Sequence, residues 1–291
     1  MTDDMTTATS GDDVRVAEEY SDSDDADRFY CAIWGGEDIH IGLYQGPDEP
    51  IADASRRTVA HMATMLGDLG PDTRVLDLGA GYGGAARWLA REKGWRVTCV
   101  NISETQNALN RKKNAEAGLA DRIDVLHGSF DAPPAEEGTF DVVWSQDAFL
   151  HGADRTAPIK AAARALKPGG QLIFTDPMQA DDAPAEALAP ILARIHLPSL
   201  GSVSAYRAAA RAAGLEEVAV DARPNQLGEH YARVRKDLDA RRGELGDLIS
   251  SDYVDRMIAG LGHWVDGSRN GWLDWGVLQF RKPAADANGL A

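Results

Sequence analysis

Residues 75–84 read VLDLGAGYGG. The stretch joins an apolar run at 74–78 to a helical pattern at 84–93, and it spaces its glycines as Gly79-x-Gly81-x-x-Gly84. Taken alone, that spacing suits an ordinary tight turn as well as a ligand loop. Directly after an apolar strand and at the opening of a helix, it has the setting in which glycines let the backbone approach a nucleotide-type ligand that a Cβ would obstruct. Asp77 stands inside the strand, two residues before the first glycine. A carboxylate there repels the pyrophosphate that a dinucleotide presents to such a loop, and suits a cationic ligand. S-adenosylmethionine bears an ammonium, a sulfonium and no phosphate, so it meets that condition.

Outward from the loop, short runs rich in Val, Ile and Leu recur at 74–78, 96–101, 123–127, 140–145 and 171–175. Helical patterns at 84–93, 104–117 and 157–166 separate them. This alternation predicts an α/β fold with a parallel sheet covered by helices on both faces. Lys167-Pro168-Gly169-Gly170 reads as a helix stop and a turn into the fifth strand. Beyond it, 184–196 and 203–213 read as helices, 217–220 as a sixth strand, 229–262 as helical, and 272–281 as a final strand. A seven-stranded Rossmann-like sheet results, with a helical cap at about 225–268 inserted before the last strand.

The N-terminus divides in two. Residues 1–19 lack apolar periodicity and read as a disordered acidic tail. Residues 20–50 set Tyr20, Phe29, Tyr30, Trp34 and Tyr44 among glycines and acids, which reads as a segment folded over something, a lid. The remaining span, 51–291, reads as one domain that holds the sheet and the cap.

Of 291 residues, 46 are acidic and 30 basic, a net charge of -16. Ten acids against one arginine in residues 1–27 account for -9 of it. So acidic a chain does not present a phosphate-tracking surface, which sets aside nucleic acid and anionic membranes as partners. No run approaches the roughly 18 apolar residues of a membrane helix, and no apolar secretory leader precedes the acidic start. Cys31 and Cys99 form no CxxC pair, in keeping with a reducing, cytoplasmic setting. None of the seven histidines forms an HxxxH or HExxH pair, so no metal is expected. The sequence leaves the oligomeric state unknown.

The blocks VLDLGAGYGG, VTCVNISETQ, GSFDAPP, FDVVWSQDAFLH and LKPGGQLIFTD stand in the order found in class I S-adenosylmethionine-dependent methyltransferases, which the chain resembles over about residues 70–180. FYCAIWGGEDIHIGLY, VNISETQNALNRKKN, SQDAFLH and LDWGVLQFRK are similar to the sarcosine/dimethylglycine N-methyltransferases, which complete the methylation of glycine to glycine betaine. The phosphoethanolamine methyltransferases share much of this pattern. The resemblance implies S-adenosylmethionine as cofactor and a small amine as substrate. It also implies roles for particular residues. Gly79 and Gly81 flank the cofactor's methionine part, with Asp77 beneath and Gln146 beside it. Asn101 and Ile102 meet the ribose and adenine edge, and Ser129 and Phe130 the adenine. Tyr30, Trp34, Ile39 and His40 belong to the lid. Two departures stand out. Asn101 occupies a place where an acid commonly chelates both ribose hydroxyls, and Ser129 one where many relatives carry an acid.

Methyl transfer to an amine needs a lone pair free of its proton, alignment, and exclusion of water. A histidine tuned near neutrality suits the deprotonation. His151, after the fourth strand, is the candidate, with Tyr20 as the loosely matched tyrosine of a Tyr–His pair. Asp147, in the same loop, suits attraction of a substrate cation. A packed or capping histidine and a structural turn acid are the alternatives for these two positions. Tyr30 and Trp34 offer π faces to a methylated ammonium, or pack as core. A substrate carboxylate suits an arginine fork, with Arg207, Arg211, Arg233 and Arg235 as candidates; Trp264, Trp272 and Trp275 read as packing on the last strand.

Overall fold

The computed structural model describes residues 24–34, 37–152, 154–195, 197–246 and 248–284. The proposed acidic tail, 1–19, and Tyr20 lie outside them.

Helix α1 (Asp24–Ile33) and helix α2 (Ile51–Met65) precede the alternating region. That region runs β1 (Arg74–Leu78), α3 (Gly84–Lys93), β2 (Arg96–Asn101), α4 (Glu104–Glu116), β3 (Ile123–His127), β4 (Phe140–Gln146), a 3-10 turn (Phe149–His151), α5 (Thr156–Ala165) and β5 (Leu166–Thr175). The rest is β6 (Met178–Gln179), α6 (Ala185–Ile195), α7 (Val203–Ala212), β7 (Glu216–Ala222), α8 (Pro224–Ala240), α9 (Arg242–Leu245), α10 (Ser251–Arg269), β8 (Leu273–Asp274) and β9 (Gly276–Arg281).

Seven strands form one sheet in the order β3-β2-β1-β4-β5-β9-β7. The first five are mutually parallel, and β9 is antiparallel to both β5 and β7. The chain leaves β1 toward β2 and β3 and returns to the other side of β1 with β4. The carboxyl ends of β1 and β4 therefore flank the switch point where open α/β sheets bind ligands. The period of two divides the strand residues between two cores. Leu76, Leu78, Val143, Leu172, Phe174, Leu278 and Phe280 face α5 and α7. Val75, Val142, Trp144, Ile173 and Val277 face α2 and α3. Asp77 shares a face with Val75, where α2 and the N-terminal segment lie.

Three expectations change. Residues 167–170 lie within β5: Phe140 pairs with Leu166 and Val142 with Gln171, so the Pro-Gly-Gly segment is a bulge, with Gly169 at φ 82°. The stretch 229–262 is two long helices, broken where Gly243 and Gly246 weaken the helix and Ser250 caps α10, accepting from the Tyr253 N–H at 3.4 Å. The stretch 272–281 divides at Trp275: β8 pairs with β6, while β9 enters the main sheet.

Candidate functional site

Gly79 follows β1 at φ 77°, and its N–H donates to the Val100 carbonyl at 2.8 Å. A Cβ at Gly79 would collide with that of Ala148, so the loop after β1 and the loop after β4 touch only because this residue is glycine. The N-terminal segment lies across the same loop. Ile39 Cδ1 stands 3.4 Å from where a Gly81 Cβ would be, and Asp38 occupies the place a Gly84 side chain would take. Asp77 is buried here, and that burial raises its pKa to about 7, with Asp38 adding to the rise and His40 opposing it. His40 is itself buried. Burial alone would lower its pKa, but the carboxylates of Asp38, 3.4 Å from Nε2, and of Asp147 raise it above the ordinary value.

At the end of β2, Asn101 Nδ2 donates to Gln106 Oε1 at 2.9 Å, leaving the side-chain oxygen as its acceptor. The cap of α4 is Ser103, which accepts from the Gln106 N–H at 3.2 Å, so Asn101 is not the capping residue. Ile102, Ser129 and Phe130 are half-buried nearby, and Phe130 packs on Phe149 with ring centroids 5.8 Å apart. At the end of β4, Gln146 Oε1 accepts from Trp144 Nε1 at 3.0 Å, while its buried Nε2 has no hydrogen-bond partner.

Beside this crevice is a cavity of about 80 Å³, whose walls include Tyr30, Trp34, Ile39, Ile41, Asp147, Leu150, His151, Tyr231, Leu261 and Trp264. The fold thus brings α1, the loop after β4 and helices α8 and α10 around one space. Tyr30, expected in the lid, shares this space with His151. Asp147 is the one non-glycine among the described residues with positive φ, 50°. Its Oδ2 accepts from the Ile41 N–H at 2.6 Å and its Oδ1 from Trp275 Nε1 at 2.8 Å. Asp147 therefore ties the N-terminal segment to the start of the last strand, and burial raises its pKa against those hydrogen bonds. Trp275 packs in the core as expected and also holds Asp147 through its indole N–H.

His151 ends the 3-10 turn. Surrounding protein lowers its pKa to about 4, with Arg155 a lesser cause, although the side chain stays accessible from the cavity. The direction of the shift favours the neutral imidazole. The turn is fixed from both sides at Leu150. Its N–H donates to Asp176 Oδ1 at 3.0 Å, and its carbonyl accepts from Arg155 Nη2 at 3.1 Å. Tyr206 OH in turn donates to Asp176 Oδ2 at 2.6 Å. Nothing in the motif around residue 176 marks this brace, because Tyr206 lies thirty residues away.

Burial pushes the Asp176 pKa up to about 8. The folded chain therefore keeps a proton that an unfolded aspartate, with a pKa of about 3.9, gives up. Stability from this group is complete below about pH 4 and is lost as pH rises toward 8. Asp176→Asn is expected to flatten the fall of Tm between those limits, as a series of thermal melts will show. A slope equal to wild type would remove Asp176 as its source.

The arginines considered for a carboxylate are engaged elsewhere or placed elsewhere. Arg233 donates to the carbonyls of Pro47 and Glu49, and Arg207 pairs with Glu217. Arg235 lies beside Gly262 between α8 and α10, and Arg211 is exposed on α7. Among the described residues no helix is long and apolar enough to cross a membrane, and no cluster of His, Cys, Asp or Glu suits a metal ion.

A family model described as a methyltransferase domain matches residues 76–174. The chain is 50% identical over 277 residues to the sarcosine/dimethylglycine N-methyltransferase of Halorhodospira halochloris, covering 94% of this chain and 99% of that one. It is 50% identical over 269 residues to the enzyme of the same name from Aphanothece halophytica, covering 92% and 97%. A crystal structure described as that of a sarcosine dimethylglycine methyltransferase from Galdieria sulphuraria superposes with a TM-score of 0.87 at 44% identity, covering 91% and 100%.

Proposed function

The chain belongs to the sarcosine/dimethylglycine N-methyltransferase family of class I S-adenosylmethionine-dependent methyltransferases, and from that premise we propose how its residues divide the work of methylating sarcosine and dimethylglycine toward glycine betaine. The observation that carries the reading is the placement of the glycine loop at the switch point beside a small aromatic cavity whose walls include Asp147 and Ile39.

The crevice residues fit S-adenosylmethionine. Gly79 lets the loops after β1 and β4 meet at the crevice, Gly81 leaves open the place of a Cβ, Asp77 places a carboxyl group beside a cationic ligand, and Gln146 Nε2 is a buried donor awaiting an acceptor. Asn101 offers one oxygen to a ribose hydroxyl, with Ile102, Ser129 and Phe130 at the base and His40 and Ile39 above. Bound there, the cofactor supplies a methyl group on a sulfonium, which an amine lone pair displaces in line.

The cavity residues hold the amine. Tyr30, Trp34, Tyr231 and Trp264 provide apolar walls and π faces that tolerate the positive charge as it moves onto nitrogen. Asp147 holds the N-terminal segment over both spaces through the Ile41 N–H, keeping water away from the reacting atoms. Because its imidazole is neutral, His151 adds no like charge beside a sulfonium. Tyr30 shares the cavity with His151, while Tyr20 lies outside the described residues.

No lysine or arginine is among the described residues lining the cavity, which disfavours a dianionic phosphate. Product masses from S-adenosylmethionine with sarcosine, dimethylglycine, glycine and phosphoethanolamine test the reading. Turnover is expected with the first two, with betaine formed from dimethylglycine, and none with phosphoethanolamine. Cofactor binding without turnover of either methylated glycine would discard the substrate assignment.

A further inference from the structure

An amino-acid substrate has two ends, and the cavity's polar groups are unevenly distributed. Asp147 and His151 stand on the side of the loop after β4. On the side of α10 the lining is Met257, Leu261 and Trp264. Trp264 is only 1% exposed and packs on Tyr231 with ring centroids 5.0 Å apart, yet its buried Nε1–H has no hydrogen-bond partner among the described residues. An indole N–H is a donor only, so its partner must be an acceptor. Buried donors are rarely left unpaired, which points to a ligand atom.

Several of the other donors nearby are engaged. Trp275 Nε1 bonds Asp147, Trp34 Nε1 donates to the His40 carbonyl at 3.4 Å, and Arg155 holds the carbonyls of Leu150 and Ser199. The Asp147 carboxylate disfavours a second anion on its own side. Resting on the reading that this cavity takes the amine, we propose that Trp264 Nε1–H binds the substrate's carboxylate, in place of an arginine fork, and so sets the preference for amino acids over amino alcohols. The amine then points away from α10, toward the loop after β4. A neutral donor also leaves the cavity without a fixed cation to repel the sulfonium or to retain the zwitterionic product.

Trp264→Phe removes the N–H and keeps an aromatic ring. The KM for dimethylglycine is expected to rise about tenfold, the loss of one hydrogen bond to a charged group, with kcat changed far less. As product-site inhibitors, betaine and choline differ chiefly in the carboxylate, and the variant's preference for betaine is expected to fall by the same factor. Cofactor affinity and Tm serve as controls on folding. A KM within twofold of wild type would overturn the proposal, as would equal weakening of both inhibitors, which is the signature of lost packing. The wild type alone provides a further test, since equal inhibition by betaine and choline also overturns it. Absence of wild-type turnover of dimethylglycine would remove the substrate reading and this assignment together. Turnover with an unmoved inhibitor ratio would remove only the role of Trp264.

Discussion

Gly79→Ala is expected to lower the affinity for S-adenosylmethionine by at least about 100-fold, a loss of about 3 kcal/mol, in a chain that still folds. Two effects act together. At φ 77° an alanine is strained by about 1–2 kcal/mol, and the new methyl overlaps Ala148 Cβ. Relief requires the loop after β1 or the loop after β4 to move, and both line the crevice. The second loop includes Asp147, already in the left-handed region, so the displacement reaches the anchor of the N-terminal segment as well. A domain with about 5–15 kcal/mol of stability survives such a penalty, whereas a cradle displaced by an ångström does not bind as before. Gly81→Ala provides the contrast. Its methyl would stand 3.4 Å from the terminal carbon of Ile39, an ordinary contact, so strain alone remains and a smaller loss is expected. Calorimetric titration with the cofactor, beside thermal melts of both variants, decides the matter. Wild-type affinity in folded Gly79→Ala would mean that the two loops do not jointly form the cofactor site.

What the sequence made legible follows from which forces are local. The parallel strands and the glycine loop could be read because apolar runs, helix periods and glycine spacing are short-range patterns, and β1, β2 and β3 carry the predicted limits. The bulge at 167–170 was hidden because Pro and Gly mark a break but not whether the strand resumes pairing before it. The cavity was harder. Its walls come from segments as distant as Tyr30, Asp147, Ile195, Tyr231 and Trp264, and no local rule separates a tryptophan that packs from one whose N–H lacks a protein partner. Trp264 and Trp275 were therefore assigned to packing, although Trp275 bonds Asp147. Asp147 was legible as important, but its attachment to Ile41 depends on a contact across 106 residues. The arginines could not be ranked for the same reason, since only the tertiary fold shows Arg233 engaged with the carbonyls of Pro47 and Glu49.

His151→Ala is expected to lower kcat/KM for sarcosine about 10- to 100-fold, and for dimethylglycine by clearly less. The reason lies in the proton. At neutral pH the substrate amine is protonated, with a pKa of roughly 10 like other alkyl ammoniums. Handing that proton to an imidazole whose pKa is lowered from its ordinary value is steeply uphill. Drawing the free amine from solution at pH 8 costs about two units, about 3 kcal/mol. Selection of free amine is the easier route even after allowance for the access of His151 to the cavity. A neutral imidazole then acts as a hydrogen-bond acceptor that orients the substrate. Free sarcosine has one N–H to give it, leaving the lone pair for the methyl group, whereas free dimethylglycine has none. In the wild type, kcat/KM for either substrate is expected to climb about tenfold per unit across pH 6–8, following the amine, without an inflection near 6.5. The variant should keep that slope. Equal losses on both substrates, together with a wild-type inflection near 6.5 that disappears in the variant, would instead make His151 a titrating general base and would place its pKa in the cofactor-bound enzyme well above the value that burial imposes here.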